Sequence, residues 1–292
     1  MEENIRENKM GTMPIGKLLA NMAGPVMVSM LFQALYNIVD SVFVARLSQD
    51  AMNAVSLAFP LQMLCIAFSV GTGVGMNALL ARSLGEKNQT AVNRAAGTGL
   101  FLTLCTAAVF MLFGFTMATP YFRLQTANEQ IIAYGQDYVR ICIGCSLGIF
   151  VQVYAERLLQ GTGRTNLSMI SQIAGAVCNI VLDPILIFGL LGFPRLEVAG
   201  AALATVAGQF LGAALGLVLN HTKNAEVQLR LSGIRPHRAT VSDIYAIGIP
   251  AIIMQSIGSV MMFGMNNILI SFTEAATAVF GAYFKLQSFI FM

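Results

Sequence analysis

Asp183 stands inside "NIVLDPILIFG" (179–189), a stretch whose other members are almost all apolar or small. Asn179 precedes it by four residues, so on a helix the amide and the carboxylate share one face. Pro184 follows directly. It has no N–H to offer the Ile180 carbonyl, and it disfavours helical geometry at Asp183. A carboxylate, an amide oxygen and a freed carbonyl at a helix break are suitable ligands for a small cation or a proton. An ionised carboxylate at mid-bilayer costs about 2.5–3.5 kcal/mol, so its presence asks for a function. Asp40 closes a second pattern: Ser29, Gln33, Tyr36, Asn37 and Asp40 trace one helical face, downstream of a helix-interior Pro25. Such a stripe is suited to lining an internal cavity.

The elements that carry these residues are membrane spans. The chain of 292 residues is 56% hydrophobic and 11% charged, against about 25% charged in soluble domains. Its mean hydropathy is +0.71. Apolar runs long enough to cross a bilayer, about 20 residues each, cover 15–46, 53–81, 91–118, 130–157, 167–191, 198–220 and 243–271, and an eighth starts near 275. The expected class is an all-α polytopic membrane protein, since a β-barrel would alternate over segments of about 10 residues. Residues 1–14 mix acids and bases and lack a small-residue cleavage site, which reads as a cytoplasmic N-terminal segment. Basic residues gather in alternate loops: Arg6, Lys9 and Lys17; Arg82, Lys87 and Arg94; Arg157 and Arg164; Lys223, Arg230, Arg235 and Arg238. That asymmetry sets the N-terminus in the cytoplasm. The net charge of +3 therefore reports topology, and no nucleic-acid partner is expected.

Several features carry less chemistry. Cys65, Cys105, Cys142, Cys145 and Cys178 all lie in apolar runs and read as packing residues, with Cys142 and Cys145 on one helix face. Gly71, Gly73 and Gly75 follow no strand and so read as helix packing or flexibility. Ala204, Gly208, Gly212 and Gly216 put a small residue every four positions, which lets helices approach closely. Thr205 and Gln209 add a polar pair to that span. Glu156 and Arg157, at the end of span four, read as a local ion pair or a solvated end. Lys285 is an intramembrane lysine whose partner the sequence does not name. There is no phosphate loop, so ATP is not expected to drive the chain directly. The intramembrane protease and zinc-hydrolase signatures GxGD and HExxH are absent too, so no enzyme and no cofactor are expected.

The chain also repeats. At an offset of 225 residues Pro25 falls on Pro250, Phe59 on Phe284, Leu61 on Leu286 and Gln62 on Gln287. The offset carries span one onto span seven, so six spans separate the copies and both run in the same direction, a known transporter plan. The expected organisation is a first lobe at 15–220, a basic cytoplasmic linker at 221–242 and a partial second lobe at 243–292. Asp40 falls on Met265, so the ionisable group belongs to the first lobe.

"GPVMVSMLFQALYNIVDSVFVARL", "NAVSLAFPLQML", "ARSLGEKN", "LQGTGRTN", "CNIVLDPILIFG" and "VAGAALATVAGQ" together resemble the MATE (multidrug and toxic compound extrusion) transporters. The resemblance implies a V-shaped antiporter of twelve helices in two parallel six-helix lobes, with the N-lobe complete here and the C-lobe cut short. Such proteins export amphipathic, often cationic compounds in exchange for protons or sodium. Carried over by motif, the coupling site, or a sodium site, is Asp40, Asn179, Asp183 and Thr205, the last mainly from the resemblance. Gln33, Tyr36, Asn37 and Gln209 are the expected cavity-lining residues, and Pro25 and Pro184 the expected hinges. The expected setting is a bacterial inner membrane, with drug-like solutes and lipid as partners and a monomer as the complete form. Other readings are a lipid-linked precursor flippase, an intramembrane enzyme using Asp40 and Asp183 as an acid–base pair, and a non-transporting remnant.

Overall fold

A computed structural model describes residues 12–227 and 234–291; Arg6, Lys9 and Arg230 lie outside them. The described chain is helical: α1 (Ile15–Ala45), α2 (Gln49–Gly85), α3 (Gln89–Arg123), α4 (Glu129–Cys142), α5 (Leu147–Gly161), α6 (Thr165–Phe188), α7 (Glu197–Lys223), α8 (Arg238–Ile270) and α9 (Glu274–Phe291). Six of these are long and apolar enough to cross a membrane, and α4 with α5 makes a seventh span bent by 44°. Short turns join them, and side-chain caps start several. Ser48 accepts from the Ala51 N–H, Asn88 from Ala91, and Asn128 from Gln130 and Ile131, which satisfies helix donors left without intrahelical partners.

Three expectations change. Span four is not one continuous helix, because α4 ends at Cys142 and α5 begins at Leu147. At the break, a Cβ on Gly114 of α3 would stand 2.6 Å from the Gly144 backbone nitrogen, and one on Gly144 would stand 2.8 Å from the Phe115 ring. The backbones touch there, and Cys142 and Cys145 therefore do not share a regular helix face. Nor do the prolines break their helices: α1 runs through Pro25 and α6 through Pro184. Each removes one hydrogen bond and leaves the helix whole. α6 stops instead at Gly189, whose φ of 72° is a left-handed conformation open to glycine. Finally, Cys105 is exposed, whereas Cys65 and Cys142 are buried.

Small residues set the helix spacing. A Cβ on Gly75 of α2 would fall on the Ile244 carbonyl of α8, and one on Gly71 would meet the Ile252 side chain and backbone. A Cβ on Gly73, on another side of α2, would stand 2.8 Å from the Arg157 stem. The glycine ladder of α7 works similarly. A Cβ on Gly208 would stand 2.6 Å from the Gly175 carbonyl of α6, and one on Gly212 or Gly216 would stand 2.9 Å from Gln152 or Ala155 of α5. Partly buried Tyr121 and buried Tyr154 satisfy their hydroxyls on the carbonyls of Leu57 and Ala96. Large apolar side chains face outward, among them Met27 and Leu31 on α1, Leu112 and Phe115 on α3, and Met254 and Ile257 on α8. Lipid is a suitable solvent for such a surface.

The repeat has a geometric counterpart. Phe59 and Phe284, equivalent at the offset of 225, meet edge to face with ring centroids 6.2 Å apart. Ser56 and its equivalent Gly281 are also in contact. Two equivalent pairs meeting at one register means that α2 and α9 run parallel along this line. At one end of the bundle, Gln89 donates to the Glu226 carbonyl and Thr98 to the Arg235 carbonyl, so both described ends of the 224–237 connection dock on α3.

Adding a methyl group at Gly75 forces α2 from α8. Gly75→Ala is expected to cost about 1–3 kcal/mol, read as a lower melting temperature in detergent. Gly264→Ala, which meets open space, is expected to be neutral or stabilising in the same assay.

Candidate functional site

The polar residues converge on two adjoining chambers. The first, of about 180 Å³, is lined by Gln33, Tyr36, Asn37 and Asp40 of α1, Gln62 and Cys65 of α2, Tyr138 and Cys142 of α4, Thr205 and Gln209 of α7, and Lys285 of α9. The second, of about 210 Å³, is lined by Gln152, Glu156, Arg157 and Gln160 of α5, Gln172 and Asn179 of α6, and Gln255 of α8. Gln33, Tyr36, Thr205, Gln209 and Gln255 belong to both walls, so the chambers adjoin across polar side chains in an otherwise largely apolar interior.

Asp183 lies behind this interior. It is 0% exposed and lines neither chamber. Asn179 holds it through an amide oriented so that both ends are satisfied: Nδ2 donates to Asp183 Oδ2 at 3.2 Å, and Oδ1 accepts from the Thr205 N–H at 3.1 Å and Oγ1 at 3.2 Å. The other oxygen, Asp183 Oδ1, has no protein donor. Asp40 is 5% exposed, its Oδ1 is likewise without a donor, and it lies within electrostatic reach of Asp183. Along α1 the polar stripe is self-tied: Ser41 Oγ donates to the Asn37 carbonyl at 2.7 Å, and Asn37 Nδ2 to the Gln33 carbonyl at 3.0 Å.

The structure thus brings Asp40, Asn179, Asp183 and Thr205 together, with Gln33, Tyr36, Asn37 and Gln209 around the same space. Pro184 follows Asp183 within α6, and Pro25 lies toward the far end of α1. Oxygen donors of this kind suit a hard monovalent cation. Among the described residues no cluster of His, Cys, Asp or Glu fit for a metal ion occurs.

Glu156 departs from the sequence expectation of an ion pair or solvated end. It is buried, and its two oxygens accept from Gln152 Nε2 and Gln172 Nε2, each at 2.9 Å. Arg157 turns away and donates to Gln160 Oε1 at 2.9 Å. The ion pairs found among the described residues, Arg82–Glu86 and Arg195–Glu197, are at the surface. Gln152, Glu156 and Gln160 recur every four residues on α5, and Gln172 and Asn179 share a face of α6. That periodicity was the available signal for the second chamber.

Asn179→Leu removes the donor to Asp183 and the acceptor for Thr205. It is expected to cost about 1–3 kcal/mol, seen as a lower melting temperature. Thr205→Val, which keeps the backbone N–H, is expected to cost about 0.5–1.5 kcal/mol in the same measurement.

Comparison with known proteins matches this arrangement of helices. A family profile described as MatE covers residues 25–185, more than half of the chain. The chain is 29% identical over 276 residues to the FAD transporter of Shewanella oneidensis, covering 94% of this chain and 61% of that protein. It is 26% identical over 276 residues to the multidrug export protein MepA of Staphylococcus haemolyticus, covering 94% and 60%. Among solved structures, the MATE multidrug transporter DinF-BH in complex with R6G superposes with a TM-score of 0.91 at 29% identity, over 99% of this chain and 64% of that one. The chain therefore spans about 60% of the length of its curated relatives. On the family profile and on the shared helical framework, this multi-pass membrane protein belongs to the MATE family of transporters.

Proposed function

We propose that the protein acts in secondary active efflux, exporting amphipathic, often cationic compounds in exchange for protons or sodium. The setting proposed is a bacterial inner membrane with the N-terminus in the cytoplasm. The observation that carries this reading is the pair of buried carboxylates, Asp40 and Asp183, each with an oxygen lacking a protein donor beside an amide-lined cavity. Asn179 steadies the Asp183 carboxylate through its amide N–H, and Thr205 Oγ1, whose proton goes to Asn179, keeps lone pairs for the coupling ion. Gln33, Tyr36, Asn37 and Gln209 line the solute's path. A bound proton or cation removes the charge that an organic cation would otherwise use, so the two ligands compete and exchange becomes obligatory. Pro25 and Pro184 each leave a carbonyl without its helical N–H, which gives α1 and α6 a place to bend as the charge changes. The lobes at 15–220 and 243–292, joined through 221–242, would supply the moving bodies.

A second reading has its own support. Arg157 and Lys285 put positive charge into the cavity walls, and one relative is named an FAD transporter. An anionic nucleotide-like solute fits those cations, as would the phosphate of a lipid-linked precursor.

Efflux of a fluorescent organic cation and of FAD from membrane vesicles, under imposed proton or sodium gradients, separates the readings. The first predicts gradient-driven movement of the cation, abolished by Asp183→Asn. Undiminished coupled export in that variant would sink the mechanism, and transport of FAD alone would select the anionic solute.

A further inference from the structure

We propose that Lys285 is the resident counter-cation of Asp40, which leaves Asp183 as the carboxylate that takes up the coupling ion. The inference rests on the coupling reading above and divides the labour between its two acids. Lys285 comes from α9 and is 7% exposed, deep enough that its charge needs fixed partners. Its Nζ donates to Ser41 Oγ at 2.6 Å and stands 5.3 Å from the centroid of the Phe59 ring. Ser41 is the residue after Asp40, and it spends its own proton on the Asn37 carbonyl, which leaves its oxygen as an acceptor for the ammonium. The ring face attracts a cation further. Lys285 and Asp40 line one chamber, and each charge lies within electrostatic reach of the other, with Ser41 and not Asp40 in direct contact with the ammonium.

The other titratable groups around Asp40 are Tyr36 on its own helix, Cys65 of α2, Tyr138 and Cys142 of α4, and Asp183 of α6. All are neutral or acidic, so among the described residues Lys285 is the cation of this neighbourhood. Asp183 is placed differently. Its described surroundings are the Asn179 amide and the field of Asp40, and no ammonium or guanidinium faces it. A carboxylate already balanced by a tethered ammonium gains little from a second cation, which the ammonium also repels. A buried carboxylate without one gains most from a proton or a sodium ion. The repeat sharpens the point: Lys285 falls on Pro60, so the second copy supplies a charge that the first copy lacks at the equivalent position.

The test counts coupling ions bound by the full chain in lipid nanodiscs. Radioactive sodium binding at alkaline pH gives the sodium arm. Infrared detection of protonated buried carboxyl groups on acidification gives the proton arm. Wild type is expected to take up one ion, Asp183→Asn none, and Lys285→Met two. Lys285→Gln, which keeps a hydrogen bond to Ser41 without the charge, should also take up two, and Lys285→Arg should stay at one. The double variant Asp40→Asn with Lys285→Met should return to one, which shows that the added ion sits at Asp40 and that the protein remains folded. Two ions in wild type, or one in both Lys285→Met and Lys285→Gln, would overturn the inference while leaving ion coupling intact. An uptake that Asp183→Asn leaves unchanged would overturn the coupling reading and this inference together.

Discussion

A carboxylate inside a membrane protein has no bulk water to solvate it, and the surroundings of Asp183 answer to that constraint. Asn179 reaches it from one turn away, and Thr205 holds Asn179 from the next helix. Thr205 can do so because the backbones of α6 and α7 touch one turn further along, where Gly175 and Gly208 face each other's carbonyls. A side chain at either glycine would push the helices apart and carry Thr205 out of hydrogen-bonding reach. The small-residue ladder and the polar site are therefore one device. The ladder spends its packing on bringing a hydroxyl and a backbone N–H to an amide that in turn steadies a charge.

Elsewhere the interior is made polar with amides in preference to ion pairs. Glu156 is held by two glutamines although Arg157 is the next residue along the chain. The helix geometry explains this, since residues i and i+1 point about 100° apart and do not meet. Arg157 lays its stem across Gly73 of α2 and its guanidinium on Gln160, while Glu156 faces α6. Glutamine can turn its amide to donate or accept, so a wall of Gln33, Gln152, Gln172, Gln209 and Gln255 can answer ligands of different polarity. Some of those atoms, such as Gln172 Oε1 and Gln209 Oε1, are buried without a protein partner. An unsatisfied buried acceptor is costly, and a solute or coupling ion carrying a donor or positive charge would relieve it.

The two repeats share a path and differ in charge. Their equivalent residues meet along α2 and α9 at Phe59 with Phe284 and at Ser56 with Gly281. Around that line the chemistry is unequal: Asp40 corresponds to Met265, and Pro60 corresponds to Lys285. Across the same boundary, Ser259 and Asn266 of α8 donate to the carbonyls of Pro60 and Ser56, the latter one turn before Pro60, where the proline leaves a carbonyl without its helical N–H. A proline inside α2 thus becomes an anchor for a helix of the other repeat.

Read alone, the sequence determined the all-helical membrane class, the regions where the long apolar helices lie, the repeat, the family and the residues of the polar stripe on α1. These depend on local composition and on helical periodicity, which a chain carries with it. The pairing of Asp183 with Asn179 was legible for the same reason, because four residues on one helix are neighbours whatever the rest of the fold does. Tertiary structure alone decided which stripes face each other. It put Glu156 in a glutamine clamp, broke span four where Gly114 and Gly144 press together, kept α1 and α6 helical through their prolines, and set Lys285 beside Ser41 from a helix 244 residues away in sequence. Such contacts join helices far apart in the chain, and helix packing fixes them through the shape of small and large residues, which periodicity within a single helix does not encode.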